Sequence, residues 1–196
     1  MRIVAGKFRG RAIVSPDHDG LRPTSDRTRE SVFNILAHGI DDFSLRDARV
    51  IDLFAGTGAL GLEALSRGAS YCLFVEDAAE ARALIRRNVE AFGLTGETRI
   101  FRRDATDLGP AGPIAKFGVA FLDAPYGKGL GAKALAGLIA GKWLTPNAVA
   151  VLEDRAGTEL VVPPGSTLLE TRTWGDTDVH FVRLNAPSDL RPAPTL

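Results

Sequence analysis

Cysteine is almost missing from this 196-residue chain, with Cys72 the one instance. A lone cysteine cannot close an internal disulfide, which excludes a disulfide scaffold, and its setting in YCLFV points to a buried strand residue rather than a nucleophile. No apolar run approaches the roughly 18 residues of a membrane span. The N-terminal MRIVAGKFRGR is not followed by an apolar segment and a small-residue cleavage site, so neither membrane insertion nor export is expected and a cytoplasmic setting follows. Metal chemistry lacks material: the three histidines, at 18, 38 and 180, are scattered without ligand spacing, and no metal is expected. Internal repeats and low-complexity blocks are absent. Net charge is zero, with 24 basic and 24 acidic residues, so the chain lacks the bulk basic signature of a nucleic-acid binder.

What is present is ordinary in amount and uneven in placement. Hydrophobic content of 45% with 24% charged residues fits a soluble globular protein, and the length fits one domain. Residues 1–38 hold seven Lys/Arg against four Asp/Glu, and Arg2, Lys7, Arg9 and Arg11 precede any acid. Residues 1–20 are therefore read as a basic arm, expected to fold as a β-hairpin. Contact with phosphates and simple solvation both fit such an arm.

Along the chain, LRPTSDRTRESVFNIL offers Thr24, Ser25 and Asp26 as helix caps, with Val32, Phe33 and Leu36 on one face. A strand through Val50 to Phe54, a glycine turn and a helix closed by Gly68 form a βα unit, and SYCLFVED with AAEARALIRRNVEAFG repeats it. In that second helix Ala81, Ile85, Asn88 and Phe92 share a face, and Gly93 is the stop. Strands around Thr98 to Arg102 and Val119 to Leu122, a helix around Ala132 to Trp143 and the strand AVAVLE follow. Alternating strands and helices with near-continuous apolar strands predict an α/β domain over residues 21–185, its mostly parallel sheet covered on both faces. TLLETRTWGDTDVHFVRL predicts a terminal hairpin turning at Trp174-Gly175-Asp176, and residues 186–196 a loose tail.

In open α/β sheets, ligands bind beyond the C-terminal strand ends. Asp52, Glu76, Asp104 and Asp123 fall at four such places. Gly56-Thr57-Gly58-Ala59-Leu60-Gly61 fits the dinucleotide pattern GxGxxG, with Glu76 where a ribose-binding acid belongs, so NAD-linked hydride transfer competes. Charge argues against it. A pyrophosphate disfavours nearby anions, and this turn is surrounded by carboxylates. S-adenosylmethionine carries an ammonium and a sulfonium and no phosphate, and these acids would attract it.

DLFAGTGALGLEALSRGA, FVED, FRRDA and FLDAPY, in that order, resemble the successive motifs of Rossmann-like S-adenosylmethionine methyltransferases, and DAPY resembles the (D/N)PPY signature of amino methyltransferases. With MRIVAGKFRGR and LRPTSDRTRESVFNIL added, the chain from Met1 to about Leu184 resembles the RsmD family of bacterial 16S rRNA guanine-N2 methyltransferases. The resemblance implies a seven-stranded sheet whose last strand is antiparallel, and a monomer acting on 16S rRNA within an assembling small ribosomal subunit. It implies that Phe54, Ala55, Gly56 and Gly58 form the turn under the methionine part of the cofactor, with Asp52 near its ammonium. Glu76, beside Asp77, would bind the ribose, and Asp104, beside Ala105, the adenine; Thr24 would lie near the cofactor. Arg22, Arg27 and Lys128, with the arm cations, would contact RNA.

The same resemblance implies that Asp123, Ala124, Pro125 and Tyr126 carry the reaction. An exocyclic guanine amine is a poor nucleophile because its lone pair is delocalised, and acceptors on its two protons free that lone pair. The Asp123 carboxylate and the Ala124 carbonyl are expected to be those acceptors, with Tyr126 stacking on the unstacked base. One departure stands out: Ala124 replaces the first proline of the usual DPP(Y/F). Pro125 still biases residue 124 toward extended backbone. The amine-directed loop also suits adenine N6 in DNA or a protein glutamine amide, and a silent RNA-binding module of the same fold is a further alternative.

Overall fold

A computed structural model describes residues 1–16 and 26–186. Arg22, Thr24, His18 and most of the tail lie outside the described residues. The elements run α1 (Asp26–His38), β1 (Arg49–Leu53), α2 (Ala59–Ser66), β2 (Tyr71–Val75), α3 (Ala79–Phe92), β3 (Thr98–Phe101), β4 (Phe117–Asp123), α4 (Leu130–Ala140), β5 (Leu144–Arg155), β6 (Ser166–Trp174) and β7 (Thr177–Leu184).

The strands form one seven-stranded sheet in the order β3-β2-β1-β4-β5-β7-β6. All neighbours pair parallel except β7, which is antiparallel to both β5 and β6. The expected sheet with one antiparallel strand is therefore present. Strand alternation divides the core between the two faces. Cys72, Phe74, Val119, Phe121, Val149 and Val151 face α1, α2 and α3, whereas Leu73, Val75, Ala120, Leu122, Ala150 and Leu152 face α4. Cys72 is thus a buried strand residue.

α3 runs its full expected length because Ile85, Asn88, Val89 and Phe92 fall on one buried face, and Gly93 ends it at φ 69°. α2 is only eight residues long and almost wholly buried. Residues 1–16 lie across the α2 and α3 side of the sheet. They are joined to each other by one antiparallel bridge, Arg2 to Ala12, and seat Ile3 and Ile13 in the core.

The order of strands reverses between β1 and β4. α2 leaves β1 toward one face and α4 leaves β4 toward the other, so a crevice opens above these two strand ends. Leu53 pairs with Val75 on one side and Leu122 on the other, which brings Phe54, Glu76 and Asp123 to one level of the sheet edge.

Candidate active site

The glycine turn begins where β1 stops. Phe54 is the first residue beyond the strand and holds φ at 57°, an uncommon conformation for a side chain of its size. Gly56 and Gly58 follow at φ 54° and 79°, and the buried Ala55 links to β2 through its N–H and the Val75 carbonyl. The three glycines of the pattern have different reasons to be glycine. A Cβ on Gly56 would meet nothing nearer than 3.9 Å, so its surface faces open space. On Gly58 it would press to 3.1 Å from the Phe74 ring, and on Gly61 it would stand 2.4 Å from that ring and 2.5 Å from Cys72 Sγ. Gly61 therefore lets α2 lie against β2.

Asp52 is 1% exposed and accepts the Gly61 N–H at Oδ2, 2.9 Å away. Gly58 caps α2 without a side chain, so this carboxylate takes one of the helix's orphan N–H groups. Burial pushes the Asp52 carboxyl well above its usual range; the Gly61 bond opposes this, and the charges of Asp123 and Glu76 reinforce it. Glu76 bridges two backbones: Oε2 accepts the Gly56 N–H at 2.9 Å and Oε1 the Ala78 N–H at 2.8 Å. Arg82 of α3 donates to the carbonyls of Glu76 and of the exposed Asp77, fixing the segment from below. Asp104 lies exposed beyond β3, where Oδ1 accepts both the N–H and the hydroxyl of Thr106 at 2.8 Å. Those bonds hold its carboxyl below the ordinary value. Ala105 beside it is buried.

Asp123 ends β4, half-buried, with Glu153 of β5 opposite it in the sheet register. Burial raises its carboxyl to about 6. Ala124 is 5% exposed, Pro125 and Lys128 are exposed, and Tyr126 presents 38% of its surface. The Tyr126 hydroxyl lies 3.0 Å from Oγ1 of Thr177, at the start of β7. The charges of Glu76 and Asp123 both reach Asp52, and Asp104 stands farther out on the β3 side.

Of the expected RNA-contacting cations, those of the arm are largely engaged with the protein. Arg2 pairs with Asp26 at 3.6 Å and Lys7 with Glu97 at 3.3 Å. Arg11 lies over the rings of Phe92 and Phe8, 4.4 and 5.3 Å from their centroids, and donates to the Ala91 carbonyl. Arg2, Arg9 and Arg27 line one cavity of about 370 Å³ together with Asp26 and Glu30. Arg9 and Arg27 are exposed there. Lys128 stands apart, on the loop after β4.

The family model described as Conserved hypothetical protein 95 matches residues 1–183. Ribosomal RNA small subunit methyltransferase D of Haemophilus influenzae is 34% identical over 177 residues, covering 89% of each chain. This chain belongs to the RsmD family. Ribosomal RNA small subunit methyltransferase D of Escherichia coli is 37% identical over 171 residues, 85% of this chain and 80% of that one. A solved structure described as a putative methyltransferase, yhhF, from Escherichia coli superposes with a TM-score of 0.81 at 31% identity, covering 95% of this chain and 98% of that one.

Within this RsmD-family fold, four side chains absent from the motif reading are built into the site or its supports. Arg82 and Thr177 hold Glu76 and Tyr126, and Glu63 and Asn88 hold the arm. Glu63 had one signal in sequence: a carboxylate inside the otherwise apolar ALGLEALS. Asn88 had a similar one, as a polar member of an apolar helical face. Arg82 and Thr177 carried none, because their partners are distant in sequence or are backbone atoms.

Proposed function

We propose that this protein transfers a methyl group from S-adenosylmethionine to the exocyclic N2 of a guanine in 16S rRNA of the small ribosomal subunit. The observation that carries the reading is the adjacency of Asp123-Ala124-Pro125-Tyr126 to the glycine turn, on neighbouring strands at the reversal of strand order. The names of the relatives in Haemophilus influenzae and Escherichia coli agree with an rRNA substrate.

The residues fit the cofactor. Gly56 offers open space where a side chain would intrude, and Glu76 presents a half-buried carboxylate at the β2 end for ribose hydroxyls. Glu76 and Asp123 place carboxylates at the crevice, which suits a cation, and a cation beside Asp52 would favour the ionised form that burial opposes. Gly56, Gly58 and Asp52 would hold the methionine part, Glu76 and Asp77 the ribose, and Asp104 and Ala105 the adenine. When bound, S-adenosylmethionine supplies an electrophilic methyl group on a sulfonium.

The protein's own part is to prepare the amine. The Asp123 carboxylate and the Ala124 carbonyl accept the two amine protons, favouring a pyramidal nitrogen and freeing its lone pair. Asp123, with its carboxyl near 6, is ionised at neutral pH, and its oxygen receives the proton that the methylated amine releases. Tyr126 offers a stacking face worth roughly 1–3 kcal/mol, which offsets much of the few kcal/mol needed to unstack the base.

The test supplies methyl-labelled S-adenosylmethionine with 16S rRNA, assembled small subunits and duplex DNA in parallel, then maps the labelled base. Label on guanine N2 of the rRNA is expected. Label on DNA alone, or none on any substrate, overturns the reading.

A further inference from the structure

Asn88 is a fully buried polar residue in the middle of α3, between the apolar Ile85, Val89 and Phe92. Its amide is used at every available hydrogen. Oδ1 accepts the Val14 N–H at 2.8 Å, while Nδ2 donates to the Val14 carbonyl and to the Thr57 carbonyl, both at 3.0 Å. Val14 belongs to the basic arm, and Thr57 stands between Gly56 and Gly58 at the centre of the glycine turn. One side chain therefore pairs both backbone groups of the arm and pins the peptide that the turn must hold. A second contact joins the same two segments, with Met1 Sδ 4.0 Å from Thr57 Oγ1.

The turn needs such a support, because two glycines at positive φ leave it free to relax. Relaxation would rotate the Thr57 carbonyl away and leave a buried N–H of Asn88 without a partner, out of reach of water. Departure of the arm would strip the other N–H and the Oδ1 of the same amide. Each segment is thus held partly by the presence of the other, which is the physical form of a coupling between two binding sites.

We propose that Asn88 is a positioning residue that couples the N-terminal arm to the cofactor turn, so that cofactor in the crevice and RNA on the arm strengthen each other's binding. The inference rests on the functional reading above for the identity of the two ligands. The link itself is independent of that reading, since it joins two parts of the same chain.

The test measures S-adenosylhomocysteine binding by calorimetry with and without a 16S rRNA transcript, for the wild-type protein, Asn88→Ala and Val14→Pro, and the KM and kcat of methyl transfer. Val14→Pro deletes the arm's N–H, at the cost of fixing φ there, and leaves Asn88 facing Thr57. In the wild type, RNA is expected to tighten S-adenosylhomocysteine at least fivefold, and S-adenosylhomocysteine to tighten RNA by the same factor. Both variants should reduce that factor below twofold and raise the KM for S-adenosylmethionine five- to tenfold while kcat falls less than threefold. A coupling factor unchanged in either folded variant overturns the proposal, as does independent binding in the wild type.

Hydrogen exchange on the wild type removes any dependence on how the variants fold. S-adenosylhomocysteine should slow exchange at least threefold in residues 1–14, which the ligand does not need to touch, and unchanged arm exchange overturns the link. Should the wild type bind S-adenosylhomocysteine but neither the transcript nor assembled small subunits, the functional reading fails on that result, while the exchange experiment still decides the arm-to-turn link.

Discussion

The hydroxyl of Tyr126 lies 3.0 Å from Oγ1 of Thr177, tying the loop after β4 to the β6–β7 hairpin. The contact crosses from a loop with glycines at φ 75° and 61° to a regular strand, so it borrows rigidity from the sheet. Thr177→Val removes the partner while keeping the shape. A hydrogen bond of this kind contributes on the order of 1 kcal/mol, about fivefold in rate if it acts only on the productive loop. Steady-state methyl transfer should therefore lose about three- to tenfold in kcat/KM for RNA, and Thr177→Ser should restore most of it. In a double-mutant cycle with Tyr126→Phe the losses should not add. Additive losses would mean that Thr177 acts on something other than the ring.

In its proposed role Asp123 links pH to both activity and stability. Its carboxyl stands at about 6 in the folded protein, against an ordinary value of 3.8. Only the ionised form can accept both an amine hydrogen and the released proton, so kcat/KM should fall with unit slope as pH drops below about 6. A profile flat to pH 5 would contradict the assigned role. The stability effect has the opposite sense. The folded state holds this proton more tightly than the unfolded chain, so stability declines as pH rises between about 4 and 6 and stays reduced above. The cost at neutral pH is on the order of 3 kcal/mol. Asp123→Asn should therefore abolish methyl transfer yet raise Tm at pH 7.5, an advantage that shrinks toward pH 4.

The parts legible in sequence are those whose signal is local. Strand β4 and Asp123 at its end could be read from FGVAFLD, because a run of buried residues followed by a turn is written in consecutive letters. The length of α3 followed from the spacing of Ile85, Asn88 and Phe92 and from Gly93. The place of β7 between β5 and β6 did not follow from the hairpin alone, since a hairpin's two strands can dock in either order. Asn88 could be placed on the buried face by its period. Its partners could not, because Val14 is 74 residues away and is met through backbone atoms that carry no residue signature. The arm likewise read as four free cations, whereas Arg11 stacks on Phe92 and Lys7 pairs with Glu97 across 90 residues.

Gly56 and Gly61 should fail in different ways when replaced by alanine. Gly61→Ala puts a methyl 2.4 Å from the Phe74 ring and 2.5 Å from Cys72 Sγ, in a core with no room to yield. Overpacking of this kind costs about 1–3 kcal/mol, and α2 must shift to relieve it. Gly56→Ala meets open space and bears only the left-handed backbone penalty of about 1–2 kcal/mol. Its methyl would, however, enter the volume assigned to the cofactor. Thermal melts should rank Gly61→Ala as the less stable protein, while calorimetry should show Gly56→Ala losing more S-adenosylhomocysteine affinity, at least tenfold. The reverse ranking in affinity would remove Gly56 from the cofactor site.

Glu63 makes the arm part of the fold. It is fully buried on α2, and its two oxygens take the Val4 and Ala5 N–H groups at 2.8 and 3.0 Å and the Arg67 Nε at 2.7 Å. Arg29 of α1, also fully buried, stands 3.6 Å from the same carboxylate and donates to Asp26 and to the Arg2 carbonyl. Removing one member of a buried ion pair leaves the other charge uncompensated, at about 3–5 kcal/mol. The exposed Lys7–Glu97 pair, 3.3 Å long, is worth no more than about 1 kcal/mol. Urea denaturation should therefore separate the two. Glu63→Gln should lose at least about 3 kcal/mol, and the arm should become the first segment cut by limited proteolysis, whereas Glu97→Gln should change stability by less than about 1 kcal/mol. Equal losses would show that Asp26, 2.7 Å from Arg29, compensates that charge by itself and that the arm is held by Ile3 and Ile13 alone.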